Sequence, residues 1–170
     1  MRNNRNIASK IFGCFSVSVI LGLSASAVAD DSLPASPFDF EHVSCKGADN
    51  EIRIIIKDVE KSVGLITADL YPNNQETFLK GGNGRVKKVK FAAKAPMTHF
   101  CVTTPEAGDF AMAVYHDHNA NGSFDKTGLG LPAEPWGISN NPKVTFGPPP
   151  VEKALFKVTK EGAELEINLN

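Results

Sequence analysis

The stretch DFAMAVYHDHNANGSFD, residues 109–125, decides the fold of this chain. Its first half, Asp109–His116, is short, strongly apolar and without a helical period, so it predicts a buried β-strand. Its second half is rich in Asp, Asn, Gly and Ser, the residue types that favour turns. A buried strand that runs straight into a polar turn is typical of a β-rich protein.

The rest of the chain has the same character. Its 170 residues include 11 Pro, 14 Gly and 11 Phe, a composition that disfavours a helical bundle. No segment keeps a sustained helical period, and the patterns predict an all-β sandwich. Six further segments are predicted as strands or strand-like: Glu51–Lys57, Val63–Tyr71, Arg85–Phe91, Thr98–Thr104, Val151–Thr159 and Glu164–Leu169.

The predicted strands leave one long irregular segment, residues 118–150. It contains six prolines and five glycines, together with apolar residues such as Leu131, Trp136 and Ile138. A loop of this length in a small domain is usually functional or disordered. Because of its apolar residues, we expect an ordered loop packed on the sandwich, with Tyr115, His116 and Trp136 as candidate ligand contacts.

The polar turn has the spacing of a calcium-binding loop. Oxygen-bearing residues recur at its first, third, fifth, seventh and ninth positions, with Gly122 at the sixth to allow a sharp turn. The predicted ligands are Asp117, Asn119, Asn121, Ser123 and Asp125. Gly128 replaces the usual bidentate Glu, so we expect structural calcium bound weakly, on the order of 10⁻⁴–10⁻³ M. The alternative is a metal-free turn in which Asp and Asn side chains bond their own backbone.

Other chemistry is less well supported by the sequence. His116 and His118 lie on the same side of an extended chain and suit a transition metal, but no third ligand is evident. The basic segment Arg85–Phe91 suits an anionic ligand or, more simply, a solvated edge strand. No motif of a known catalytic class is present, so we expect a non-enzymatic protein. The alternative is a hydrolase or sugar-active enzyme that uses Asp117, His116 and Glu134.

The N-terminus predicts export. Residues 1–29 combine Arg2, Arg5 and Lys10 with a short apolar run and end in Ala-Val-Ala, the pattern of a cleaved signal peptide. An uncleaved membrane anchor is the alternative, although the run is shorter than the roughly 20 residues that span a bilayer. Residues 30–44 form a proline-containing leader. We therefore expect a periplasmic or extracellular protein with no transmembrane segment after cleavage.

Cleavage changes the charge of the protein. It removes three basic residues and no acidic ones, leaving 15 basic and 19 acidic residues, so the net charge falls from −1 to −4. An acidic balance argues against nucleic-acid binding. Two cysteines also remain, Cys45 and Cys101. An even pair in an oxidising compartment predicts a disulfide, with two free buried thiols as the alternative.

Four blocks around the long loop together resemble the domain-of-unknown-function family 2141, exported bacterial proteins without an assigned activity. The blocks are AVYHD at 113–117, GLGLPAE at 128–134, WGISNN at 136–141 and FGPP at 146–149. The resemblance extends over about residues 44–170. It implies a single immunoglobulin-like or transthyretin-like antiparallel β-sandwich, which we place at residues 45–170 with about seven strands and one long ordered loop. It implies no reaction.

The expected function is therefore that of an exported binding or structural module of the envelope. Its partner would be an envelope protein or a small ligand. The sequence does not choose between them.

Overall fold

The computed structural model describes residues 45–80, 82–145 and 147–170. The predicted signal peptide at 1–29 and leader at 30–44 lie outside the described residues. Within those residues, no helix is long and apolar enough to cross a membrane.

The described chain is almost entirely strands and turns. Its eight strands are β1 (Glu51–Lys57), β2 (Leu65–Pro72), β3 (Lys87–Ala92), β4 (Thr98–Thr103), β5 (Gly108–Asp117), β6 (Trp136–Ile138), β7 (Phe156–Val158) and β8 (Ala163–Asn168). Two single 3₁₀ turns cover Gly82–Gly84 and Val151–Lys153. The all-β prediction is confirmed.

The strands form two sheets. The three-stranded sheet has the order β4-β1-β8, and the five-stranded sheet has the order β3-β2-β5-β6, with β7 also paired to β5. Every pairing is antiparallel except β1 with β8, which is parallel. The sandwich is as expected, but its antiparallel pattern is broken at that one pair. The chain reaches β8 only after crossing to the other sheet, so β8 joins the free edge of β1 in the same direction.

The core lies between the two sheets. Alternate residues of each strand face inward, as period-two alternation requires. Phe91 of β3 stacks on Phe100 of β4 across the two sheets, with ring centroids 4.1 Å apart. The inward residues of the three longest central strands are Ile52, Ile54, Ile56, Ile66, Ala68, Leu70, Phe110, Met112 and Val114.

A second, smaller cluster covers the outer face of the five-stranded sheet. It joins Tyr71, Ala111 and Ile138 from the sheet to Val151 and Ala154 from the segment that follows the proline run. The long loop is therefore ordered and packed on this face. It contains the short strand β6, which was not predicted because three residues are too few to show a period.

The strand predicted at Val151–Thr159 is wrong in its first half. Residues 151–153 form a 3₁₀ turn instead of a strand. The N–H group of Lys153 donates to the Pro150 carbonyl, and that of Ala154 donates to the Val151 carbonyl. The strand β7 begins only at Phe156.

The predicted disulfide is present. Cys45 and Cys101 are bonded, with Cα atoms 5.3 Å apart and a sequence separation of 56. Cys101 lies on β4, so the bridge ties the beginning of the described chain to an edge of the three-stranded sheet.

Candidate functional site

A cavity of about 590 Å³ lies on the outer face of the five-stranded sheet. Its floor is formed by side chains from β2, β5 and β6, among them Ala113, Tyr115 and Trp136. Leu79, Arg85 and Lys88 also contribute to the lining. The long loop supplies the rest: Phe124, Lys126, Gly130, Leu131, Pro132, Val144, Thr145, Gly147 and Pro148. The cavity exists because proline- and glycine-rich chain folds back over a sheet face that would otherwise be open to solvent.

The lining is mainly apolar. The exposed leucine Leu131 and valine Val144 contribute to it beside Trp136 and Ile138. Gly137 lets β6 pack closely at this point, because a Cβ at position 137 would collide with the carbonyl oxygen of Asn168. An apolar concave surface of this volume is the usual form of a small-molecule site.

An ion pair lies at one side of the cavity. Arg85 donates to the carboxylate of Asp69 over 3.0 Å, and both side chains are largely buried, with exposures of 23% and 11%. Asp69 is in the middle of β2, directly opposite Ala113 of β5. A carboxylate in an apolar setting requires such a partner, because an unpaired buried charge is costly.

Lys88, Tyr115 and Gly122 form a triangle of hydrogen bonds at the cavity. The Lys88 ammonium donates to the Tyr115 hydroxyl over 3.1 Å and to the Gly122 carbonyl over 3.2 Å. The Tyr115 hydroxyl also donates to the Gly122 carbonyl over 3.2 Å. Burial raises the pKa of Tyr115 to about 12, so the phenol remains a donor at neutral pH. The triangle links the sheet to the polar turn.

A tight turn with two exposed leucines forms part of the cavity rim. Its ends are joined by an isolated β-bridge between Lys126 and Pro132. The N–H group of Gly130 donates to the Thr127 carbonyl, and that of Leu131 donates to the Thr127 hydroxyl. Leu129 is 87% exposed and Leu131 is 60% exposed. Only Leu131 lines the cavity. The turn therefore holds two large apolar side chains in solvent beside the cavity.

The predicted calcium loop is folded into a compact polar turn. The Asp117 carboxylate accepts the N–H groups of Asn121 (3.1 Å) and Gly122 (2.7 Å). Asn119 and Asn121 each accept a backbone N–H two residues further on, and both donate their side-chain amides to Asp125. Gly122 has a positive φ of 82°, as the sharp turn requires.

This geometry brings four of the five predicted ligands into one hydrogen-bonded group. The exception is Ser123, which contributes a backbone N–H bond to Asn121. Among the described residues, the only group of three His, Cys or acidic side chains with close ligand atoms is Cys45, Glu51 and Cys101, which contains the disulfide. The loop therefore has the bonding of an Asx-stabilised turn, and its carboxylates do not converge with a third acid.

Glu134 holds the two ends of this turn together. Its carboxylate accepts the N–H groups of His118 (3.2 Å) and Asp125 (3.1 Å), and it is 7% exposed. Burial raises the pKa of Glu134, and the nearby Asp117 and Asp125 carboxylates raise it further. Both oxygens are committed to the backbone, which gives Glu134 a structural position.

His116 lies on the opposite side of β5 from the cavity. It has no exposed surface, its Nε2 is 2.7 Å from the Val63 carbonyl oxygen, and burial lowers its pKa. Its ring contacts that of His118 with centroids 4.1 Å apart. His116 Nδ1 and His118 Nε2 are buried without a hydrogen-bond partner. Strand alternation separates His116 from the cavity, so of the three predicted ligand contacts the structure brings together Tyr115 and Trp136 only.

The sequence did not single out Asp69, and it pointed to Arg85 and Lys88 only as part of the basic segment Arg85–Phe91, either an anionic-ligand patch or a solvated edge strand. One signal was present: Asp69 is the only charged residue in LITADLYP, the sequence of β2, and basic residues dominate the next strand. A charge within a buried strand requires a partner or a function. The cavity itself has no sequence signal, since it depends on how the loop folds over the sheet.

Comparison with known proteins yields a family and no activity. Neither the curated proteins nor the solved structures include a significant match to this chain. A family model described as an uncharacterized protein conserved in bacteria (DUF2141) matches residues 54–166, which include the cavity and the polar turn. The chain belongs to this bacterial family.

Proposed function

We propose that this protein is an exported, non-enzymatic binding module of the bacterial envelope, and that the cavity on the five-stranded sheet is its ligand site. The observation that carries the proposal is the cavity of about 590 Å³ with Trp136 and Tyr115 in its lining. A concave, largely apolar surface of this size with aromatic side chains in its lining is the usual form of a small-molecule site. A retained apolar cavity beside exposed leucines favours a bound ligand.

The hydrolase alternative has less support. Among the described residues, Asp117 and Glu134 have their carboxylates in backbone hydrogen bonds, and His116 is fully buried. None of the three lines the cavity. A catalytic set requires ionisable groups that converge on a space where a substrate can lie. Binding is therefore the function proposed.

The ligand site is tested with a neutral apolar dye, phenylnaphthylamine. The chain has a single tryptophan, Trp136, so binding in the cavity places the dye beside the only indole donor for energy transfer. We expect saturable transfer from Trp136 to the dye. Leu131→Ser should weaken binding by about three- to tenfold, since each buried methylene contributes about 0.8 kcal/mol.

Leu129→Ser is the matched control. Leu129 is in the same turn and is even more exposed, but it does not line the cavity. It should leave dye affinity unchanged. Equal losses in both variants, or no transfer from Trp136, would contradict the proposed site.

We further propose that the polar turn binds calcium weakly through Asp117, Asn119, Asn121, Ser123 and Asp125. The turn already groups four of these side chains, and Gly122 supplies the required bend. Ion binding must turn the Asn119 and Asn121 amides so that oxygen rather than nitrogen faces Asp125. The effect would reach the cavity, because Gly122 holds Lys88 and Tyr115, and Phe124 lines the cavity.

Thermal melting tests the calcium proposal. At about 10 mM calcium, a dissociation constant of about 10⁻⁴–10⁻³ M adds roughly 1.4–2.7 kcal/mol of stability, so the melting temperature should rise by several degrees. Asp125→Asn should abolish the rise, and Asp109→Asn, at the other end of β5, should not. Identical melting in calcium and in chelator would reject the ion and leave the cavity proposal intact.

A further inference from the structure

We infer that the cavity takes an anionic amphiphile, a small molecule with an apolar body and one acidic group. The inference rests on the proposed binding function and adds the chemical class of the ligand. It is carried by the contrast between the apolar lining and the charges at its edges.

The apolar body is matched by the middle of the cavity. Trp136 and Leu131 provide flat and branched apolar surfaces, and Val144 is partly exposed nearby. An aromatic or aliphatic body placed there removes these surfaces from water, which is the main source of affinity in sites of this kind. The exposed Leu131 gains most, because the free protein leaves it in solvent.

The charges of the lining are unbalanced. Four charged residues contribute to it: Asp69, Arg85, Lys88 and Lys126. Asp69 is neutralised by Arg85 over 3.0 Å. Within residues 45–80, 82–145 and 147–170, no acidic side chain lies within ion-pair distance of Lys88 or Lys126. The cavity therefore has an excess of two positive charges in a protein whose overall charge is negative.

Lys88 is held in position to receive an acidic group. Its ammonium has three donors, and the Tyr115 hydroxyl and Gly122 carbonyl accept from it. These two acceptors fix the ammonium beside the cavity and leave one donor for a ligand. Both acceptors are neutral, and Asp69, which lies opposite Lys88 on β2, is bonded to Arg85 instead. Since the lining has three cationic side chains and one acidic one, an anion is the ligand that it favours.

Lys126 lies on a different part of the cavity from Lys88 and also carries a positive charge. It forms an isolated β-bridge with Pro132 at the base of the exposed turn, so its side chain belongs to the rim of the cavity. A cationic ligand would meet repulsion from both lysines, and a neutral one would gain nothing from them. An anion gains from both, and its apolar body still contacts Trp136.

The test compares two dyes that differ in one group. Phenylnaphthylamine is neutral, and anilinonaphthalene sulfonate is the same ring system with a sulfonate added. We expect the sulfonate dye to bind about three- to tenfold more tightly, the range that partly exposed charge pairs support, and the advantage to shrink as salt is raised. Lys88→Gln and Lys126→Gln should each reduce the advantage, and together they should remove it.

Lys87→Gln is the matched control, since Lys87 is next to Lys88 on β3 and donates to Thr103 instead of lining the cavity. Equal affinities for the two dyes, or equal losses in Lys87→Gln and Lys88→Gln, would overturn the anionic class. If both dyes still respond to Leu131→Ser, the binding function survives that failure. If neither dye responds to Leu131→Ser, the proposed function fails as well.

Discussion

The two sheets share one core, but their outer faces are very different. The outer face of the three-stranded sheet is open and carries exposed ion pairs, Arg53 with Glu164 and Lys57 with Glu166. The outer face of the five-stranded sheet is covered by the long loop and contains the Asp69–Arg85 pair and the cavity. The open face is an ordinary solvated surface.

The difference shows that the covered face combines a second hydrophobic cluster with features that packing alone does not require. The open sheet needs little more than charged residues that remain solvated. The covered sheet requires a long segment rich in Pro and Gly, including the turn that holds Leu129 and Leu131 in solvent. Leu129 and Leu131 add nothing to the core, so they are the part of the covered face that packing does not explain.

The largest stability effect is expected at the edge of the open sheet. Replacing both Cys45 and Cys101 with Ser should lower the free energy of unfolding by about 4 kcal/mol, because a loop of 56 positions is no longer closed in the unfolded chain. Denaturant titration measures this loss. The dye affinity of the cavity should not change in buffer, since the bridge is on the other sheet.

Reductant provides the control for that variant. It should destabilise the natural protein by a similar amount and leave the double Ser variant unaffected. A double variant as stable as the natural protein would show that the open sheet does not depend on its covalent link. If the double variant folds but no longer binds the dye, the cavity on the five-stranded sheet depends on the disulfide of the three-stranded sheet.

The next largest effect is the loss of unfolding free energy when the ion pair on the covered face is broken, compared with one on the open face. Arg85→Met should cost about 1–3 kcal/mol, because it leaves Asp69 charged and largely buried without a partner. Arg53→Met should cost about 0–0.5 kcal/mol, since Arg53 and Glu164 are 58% and 78% exposed. Chemical denaturation of the two variants measures both losses.

A double variant sharpens this result. Asp69→Asn combined with Arg85→Met removes both charges and should be more stable than Arg85→Met alone. The matched pair on the open face, Arg53→Met with Glu164→Gln, should show almost no coupling. Equal coupling on both faces would mean that covering the five-stranded sheet does not alter its electrostatics.

Most of the sandwich was predictable because its strands alternate strongly. The predicted bounds of β1 match the structure, and those of β5 differ by one residue at each end. The local sequence pattern did not predict the strand pairings that depend on contacts between distant parts of the chain. Gly137 belongs to a strand only because β6 pairs with β5, and the parallel alignment of β8 with β1 depends on the path of the whole chain.

The candidate site was only half predictable for the same reason. Tyr115 and Trp136 were identified as aromatic residues near an unusual loop, and both line the cavity. His116 was grouped with Tyr115 by sequence proximity, but neighbouring residues of a strand face opposite sides. For Lys88 and Arg85 the pattern favours a solvated edge strand over an anionic-ligand patch, because nothing local shows that the loop 118–150 folds over them.

The smallest predicted effect is an acid-dependent one on the open sheet. The N–H group of Lys46, followed by those of Gly47 and Ala48, lowers the pKa of the Glu51 carboxyl below its usual value. A group whose pKa is lower in the folded state stabilises the fold above its unfolded pKa, and that stability is lost as the pH falls through the folded pKa. Glu51→Gln should therefore destabilise the protein slightly at neutral pH and make no difference at strongly acidic pH. Unfolding curves of both proteins between neutral and acidic pH measure this convergence. A constant gap across the pH range would mean that Glu51 acts through packing, and the turn at Cys45 would then owe its position to the disulfide alone.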